Sequence, residues 1–184
     1  MNKQSKKIIG LFSRYFAIIL IGLGNLYIIY KILTPLTVHF LNIVLSIFVE
    51  TNLVENIISI GIKRIEIIPA CVAGSAFYLL FLLIMSTADI KPKKRALALS
   101  TALAAFFMLN IIRMLILIPL TNTTSFEIIH WIFWHIISTL FVVGIWFGSV
   151  KIYKIKSMPM YTDLKYIRSL MKSSKNSKRK KKHK

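Results

Sequence analysis

Residues 96–120 read ALALSTALAAFFMLNIIRMLILIPL, twenty-five positions holding one charge, Arg113. An α-helix needs about 20 mainly apolar residues to cross the hydrocarbon of a bilayer, so this stretch decides that the chain is built for a membrane. Working outward, three more segments qualify or nearly do: residues 8–33, interrupted by Arg14 and Asn25; residues 70–86, on the short side; and residues 126–150, which hold His130 and His135. The first is too long for the apolar core of a cleavable signal peptide and reads as a retained span. Composition agrees. The 184 residues are 56% hydrophobic and only 17% charged, against about 45–50% and 25% in soluble domains. That excludes an ordinary soluble globule and a disordered chain.

The net charge of +19 alone would suggest a nucleic-acid binder, but thirteen of the 25 Lys and Arg fall within residues 151–184 and most others flank apolar runs. Basic residues gather on the cytoplasmic side of a membrane. Lys3, Lys6, Lys7, Arg14, Lys91, Lys93, Lys94, Arg95 and the tail stand on one side, and only Lys31, Lys63 and Arg64 on the other. The pattern predicts an all-α membrane protein in the cell membrane, with about four transmembrane helices and both termini cytoplasmic. Residues 34–69 then lie outside. Within them, 36–49 is too short to span comfortably and reads as a re-entrant or interfacial helix. Residues 57–60 and 62–68, isoleucine-rich around Gly61, fit a short hairpin or an irregular lid. Residues 1–157 form the transmembrane domain and 158–184 a basic cytoplasmic tail. In the tail, 158–171 fits a short amphipathic helix and 172–184 a solvated run attracted to anionic lipid. No specific nucleic-acid partner is expected.

Polar residues inside lipid are expensive and usually face the bundle interior. Cys71, the single cysteine, falls in the first turn of the second span. Arg113 lies about 9 Å below the outer end of the third span, and His130 about 6 Å below that of the fourth, at ~1.5 Å per residue. Each alone has a bland explanation: a buried small hydrophobe, a snorkelling cation, an interfacial imidazole. Together a thiol, an imidazole and a guanidinium at one depth are the parts of a cysteine acyl-transfer site. Thiolate is the nucleophile, and a helix N-terminus, an imidazolium and a guanidinium favour it against the opposing effect of burial. His130 suits the proton shuttle, and Arg113 suits a substrate carbonyl or the oxyanion formed from it. Asn110, three residues before Arg113 on the same helix face, is a supporting candidate. His135 is the alternative histidine. It sits ~140° around the helix from His130, so the two should not both face one pocket squarely.

At these residues the chain resembles the exosortase/archaeosortase family of multi-pass membrane cysteine transpeptidases. Three pieces carry the resemblance: Pro69-Ala70-Cys71-Val72-Ala73-Gly74, similar to the family's cysteine-then-glycine motif; Asn110-Ile111-Ile112-Arg113, similar to its asparagine–arginine span; and Phe126-Glu127-Ile128-Ile129-His130, in its histidine span. The likeness covers residues 36–147, about the size of a minimal archaeosortase-like core. Val72 departs from it, standing where the family commonly has serine. The resemblance implies a thiol protease and transpeptidase with Cys71, Arg113 and His130 catalytic and the site facing the extracytoplasmic side. Its substrates would be secreted proteins ending in a short motif, a transmembrane segment and a basic cluster, transferred to an acceptor expected to be lipid. Neither a metal nor an organic cofactor is implied. The competing expectation is a non-enzymatic membrane-protein biogenesis or assembly factor whose basic tail holds ribosome or lipid. A transporter is weaker, since there is no inverted repeat and no paired carboxylate for a proton relay.

Overall fold

The computed structural model describes residues 3–23, 26–88, 90–155 and 168; the tail helix expected at 158–171 and the basic run after it lie outside them. The fold is mostly helical. In chain order come α1 (Lys3–Gly22), α2 (Tyr27–Ser46), the strands β1 (Asn52–Val54), β2 (Ile57–Ile60) and β3 (Lys63–Glu66), then α3 (Pro69–Val72), α4 (Gly74–Met85) and α5 (Pro92–Leu117). A 3₁₀ turn (Ile118–Asn122) leads to α6 (Phe126–Ile132), a π-helical segment (Phe133–Ile137) and α7 (Ser138–Ile152). Among the described residues, three helices are long and apolar enough to cross a membrane: Tyr27–Ser46, Pro92–Thr121 and Phe126–Ile152. Two apolar helices, Ile8–Gly22 and Pro69–Met85, are shorter.

The outer surface of these helices is apolar. Phe12, Phe16, Leu140 and Phe147 are all exposed, where a water-soluble bundle would present charge. The core lies between α2, α4, α5 and α7. Phe77 meets Phe106 edge-to-face at 4.7 Å between ring centroids, Phe40 meets Phe107 at 5.4 Å, and Leu41, Leu80 and Val142 are fully enclosed.

Two expectations are corrected. Residues 8–33 do not form one helix: α1 ends at Gly22 and α2 begins at Tyr27, after Leu26 in the left-handed region at φ 61°; the intervening sequence holds Gly24 and Asn25, both poor helix formers. The helix expected at 36–49 is the second half of α2, which runs through Pro35. An internal proline costs about 3 kcal/mol through its missing N–H and ring clash. Burial of Thr37, Val38, Leu41 and Leu45 along the same helix offsets that cost. The hairpin is present and has gained a strand. The antiparallel order is β1-β2-β3, with Leu53 opposite Ile58 and Ile58 opposite Ile65 on the inner face. Gly61 takes the left-handed turn position at φ 57°.

Side-chain bonds mark the two ends of the bundle. At one end Arg14 donates to the carbonyls of Thr87 (3.1 Å) and Met85 (3.4 Å), and Arg95 to Thr87 (2.7 Å). Thr101 and Tyr153 share a hydroxyl contact of 3.0 Å toward the same end. At the other end lie the sheet, α3, the end of α5 and the start of α6.

Candidate active site

The site is made by a helix that breaks. Ile68 is extended, Pro69 opens α3 in the first turn where its missing N–H costs nothing, and Ala73 ends α3 in the left-handed region at φ 57°. For a residue with a Cβ that conformation costs about 1–2 kcal/mol. Glycine follows rather than fills the strained position. A Cβ on Gly74 would stand 2.7 Å from the Tyr30 ring of α2, so Gly74 is required for close helix approach. The segment expected as one span at 70–86 is therefore two helices, with Cys71 on the short one.

Pro69 O still accepts from Ala73 N–H, but the break leaves the carbonyls of Ala70, Cys71 and Val72 to donors from α5. Asn110 donates through Nδ2 to Cys71 O (3.1 Å) and more weakly to Val72 O (3.5 Å). Arg113 donates through Nη2 to Cys71 O (3.0 Å) and Ala70 O (3.4 Å), and through Nη1 to Ser138 Oγ (2.7 Å). Ser138 in turn donates to Phe133 O (2.9 Å), a reach of five residues that matches the widened π turn between them. Arg113 is 3% exposed and Asn110 2%, so snorkelling is excluded for this arginine. Buried charges persist only when well bonded. Here the guanidinium is held by one hydroxyl and two carbonyls, and its Nε–H is left without a partner.

A cavity of about 250 Å³ opens beside this network. Cys71, Arg113 and His130 all line it, with Arg64 and Glu66 from β3, Thr121 from the 3₁₀ turn, and Ile68, Leu117 and Phe126 among its apolar walls. His130 is half-buried and stacks face-to-face on Phe126, centroids 5.5 Å apart and planes 4° from parallel. His135 is not brought in. It is exposed, its Nδ1 is 3.2 Å from Trp131 O, and its ring sits against Trp131 and Trp134.

Three contributors escaped the sequence reading. Ser138 carried no signal, being one hydroxyl among several in the fourth span. Arg64 counted only as an outer-side charge and Glu66 lay within the hairpin segment; their signal was proximity in sequence to Cys71. Among the described residues no group of three or more His, Cys, Asp or Glu side chains gathers to hold a metal ion. Compared with protein-family models, curated proteins and solved structures, the chain matches none.

Proposed function

We propose that the chain is a membrane-embedded cysteine peptidase and transpeptidase of the exosortase/archaeosortase kind. The observation that carries the reading is the single cavity lined by Cys71, Arg113 and His130. The proposed chemistry is acyl transfer. His130 takes the Cys71 proton, and the sulfur attacks a peptide carbonyl carbon. The C–N bond then breaks as His130 returns the proton to the departing amine, leaving a thioester on Cys71. Attack on that thioester by an acceptor nucleophile, a lipid or water, releases the acyl product and restores the thiol. Arg113, itself almost wholly buried, places positive charge beside the oxyanion that forms in the first step. Its bonds to Cys71 O and Ala70 O give it a second part, fixing the turn that presents the sulfur.

The membrane arrangement belongs to the same proposal. The chain crosses four times: α1 and α2 together, α3–α4, α5, and α6–α7. The end marked by Arg14 and Arg95 is cytoplasmic by the excess of Lys and Arg, which places the cavity on the extracytoplasmic side of the cell membrane. There a secreted protein carrying a C-terminal motif, apolar span and basic cluster meets the thiol once its span lies beside the bundle.

The test compares cells expressing the chain with cells expressing Cys71→Ala, mapping the C-termini of secreted proteins by mass spectrometry. The reading expects proteins with that tripartite tail to lose it only with the intact cysteine, and a hydroxylamine-sensitive adduct on Cys71. Identical C-termini in both strains, with tail truncation alone disturbing membrane-protein assembly, would instead establish the non-enzymatic biogenesis role.

A further inference from the structure

β3 is an edge strand, and its open edge faces the cavity. Ile67 N–H donates to Asn56 O at 2.9 Å, on the β2 side. Main-chain groups alternate in direction along an antiparallel strand, so Lys63 and Ile65 also turn theirs toward β2, while Arg64 and Glu66 turn theirs away. Residues 64–68, five in a row, all line the cavity. Side chains alternate between sheet faces, so a hollow on one face would be walled by every second residue. Consecutive walling means that the cavity runs along the strand's edge. Open edges are normally blunted or covered because they template pairing with another chain. This one is kept open beside the only thiol in the protein.

We propose that the substrate enters as an extended peptide that adds to β3 as a fourth strand. Its main chain bonds the outward N–H and C=O groups of Arg64 and Glu66, and its scissile carbonyl arrives at Cys71. The occupant is a peptide segment rather than a helix or a lipid chain, because only extended backbone satisfies a strand edge. Charge narrows it further. Arg64 and Arg113 line the cavity with one carboxylate, Glu66, and Arg113 is buried with its Nε–H unpartnered, so an acidic or oxygen-rich residue beside the cleaved bond is favoured. This deepens the peptidase reading by naming the conformation in which substrate is held.

The test uses the full chain in lipid nanodiscs, where Cys71 is the one thiol available to label. Two probes are compared: the tetrapeptide chloromethyl ketone acetyl-Val-Ala-Asp-Ala-CH₂Cl, and the same compound N-methylated at its second alanine-side amide. Iodoacetamide normalises for thiol reactivity. Strand addition expects the parent probe to alkylate Cys71 at least tenfold faster than the methylated one. It also expects Arg64→Pro, which removes one outward N–H at a position where an edge tolerates proline, to slow the parent probe relative to iodoacetamide and narrow the difference. Should that variant fail to fold, the two probes on the unmodified chain decide alone. Equal normalised rates overturn the proposal, as does cross-linking of two copies through position 64, which would make the edge a dimer contact. Processing of cellular substrate with no probe discrimination leaves the peptidase standing without strand addition. Discrimination without processing leaves the strand site standing without the peptidase.

Discussion

The two ends of the α3–α4 segment use the same device to different effect. Where α4 ends, Arg14 and Arg95 donate to the carbonyls of Met85 and Thr87, satisfying groups every helix leaves open. Where α3 breaks, Arg113 and Asn110 do so for Ala70, Cys71 and Val72. The first end closes on scaffolding, with Arg14 and Arg95 half-buried. The second leaves its arginine almost wholly enclosed, beside a cavity and a thiol. An arginine on helix-terminal carbonyls is therefore no sign of catalysis by itself. What separates the ends is the strained Ala73 turn, which exposes the cysteine's own carbonyl to a buried cation and turns its side chain to a shared space.

The largest break in that comparison is Cys71→Ala. Removing the nucleophile should lower C-terminal processing by at least about 1,000-fold, while the melting temperature in detergent changes little, because the half-buried side chain packs at the edge of the core. Activity surviving this change removes the proposed chemistry. Next is Arg113→Gln, which leaves Ala70 O without a donor, Cys71 O with Asn110 alone and Ser138 Oγ without the guanidinium. It should cost about 2–4 kcal/mol of stability and about 100-fold in processing. Arg95→Lys at the other end keeps a donor near Thr87 and should cost about 0.5 kcal/mol, with processing unchanged. Calorimetry and processing assays on both variants test whether the two ends differ as the geometry says.

How much of this was legible follows residue by residue. The 96–120 span and the burial of Arg113 could be read directly, because a charge two turns inside an apolar helix has few inexpensive positions. The convergence of Cys71, Arg113 and His130 followed from counting helical rise. The kink at Ala73 was not legible. Alanine is a helix former, and the adjacent glycine points to the wrong position, being needed for contact with Tyr30. Nor was the passage of α2 through Pro35, where local cost is outweighed by packing with distant residues. Ser138 stayed hidden because its value lies in a π segment that no hydrophobic period announces.

The histidines give the sharper comparison within one helical run. His130→Ala should slow processing by about 100-fold, within the range for loss of a general acid–base, and should slow alkylation of Cys71 by a small permeant reagent. His135→Ala should leave both within about twofold, since that ring sits on two indoles outside the cavity. Equal losses would remove the distinction the geometry draws, and a larger loss at His135 would reverse it. Phe126→Leu tests what holds His130 in place. Without the stacked ring the imidazole is less ordered, and processing should fall about tenfold with Cys71 alkylation by iodoacetamide affected less.

A smaller loss than at the catalytic residues is expected at Ser138, and it isolates the second tie on Arg113. Ser138→Ala leaves the guanidinium its two carbonyls and removes one charge-assisted hydrogen bond of 2.7 Å. Such a bond contributes about 1.5–3 kcal/mol when its partner is ionised, but loss of the hydroxyl also frees Arg113 Nη1 to seek water from the cavity, so a net loss of about 1 kcal/mol is expected. Processing should fall about threefold to fivefold as the Cys71 turn loosens. Thr139→Ala is the matched control one residue away, its hydroxyl bonded only to His135 O on the exposed face. If the two substitutions behave alike, Ser138 fills space and the rigidity of the site rests on α3 and α5 alone. If Ser138→Ala alone lowers the rate, α7 holds the arginine against the cysteine's turn, and the π segment is there to bring that hydroxyl within reach.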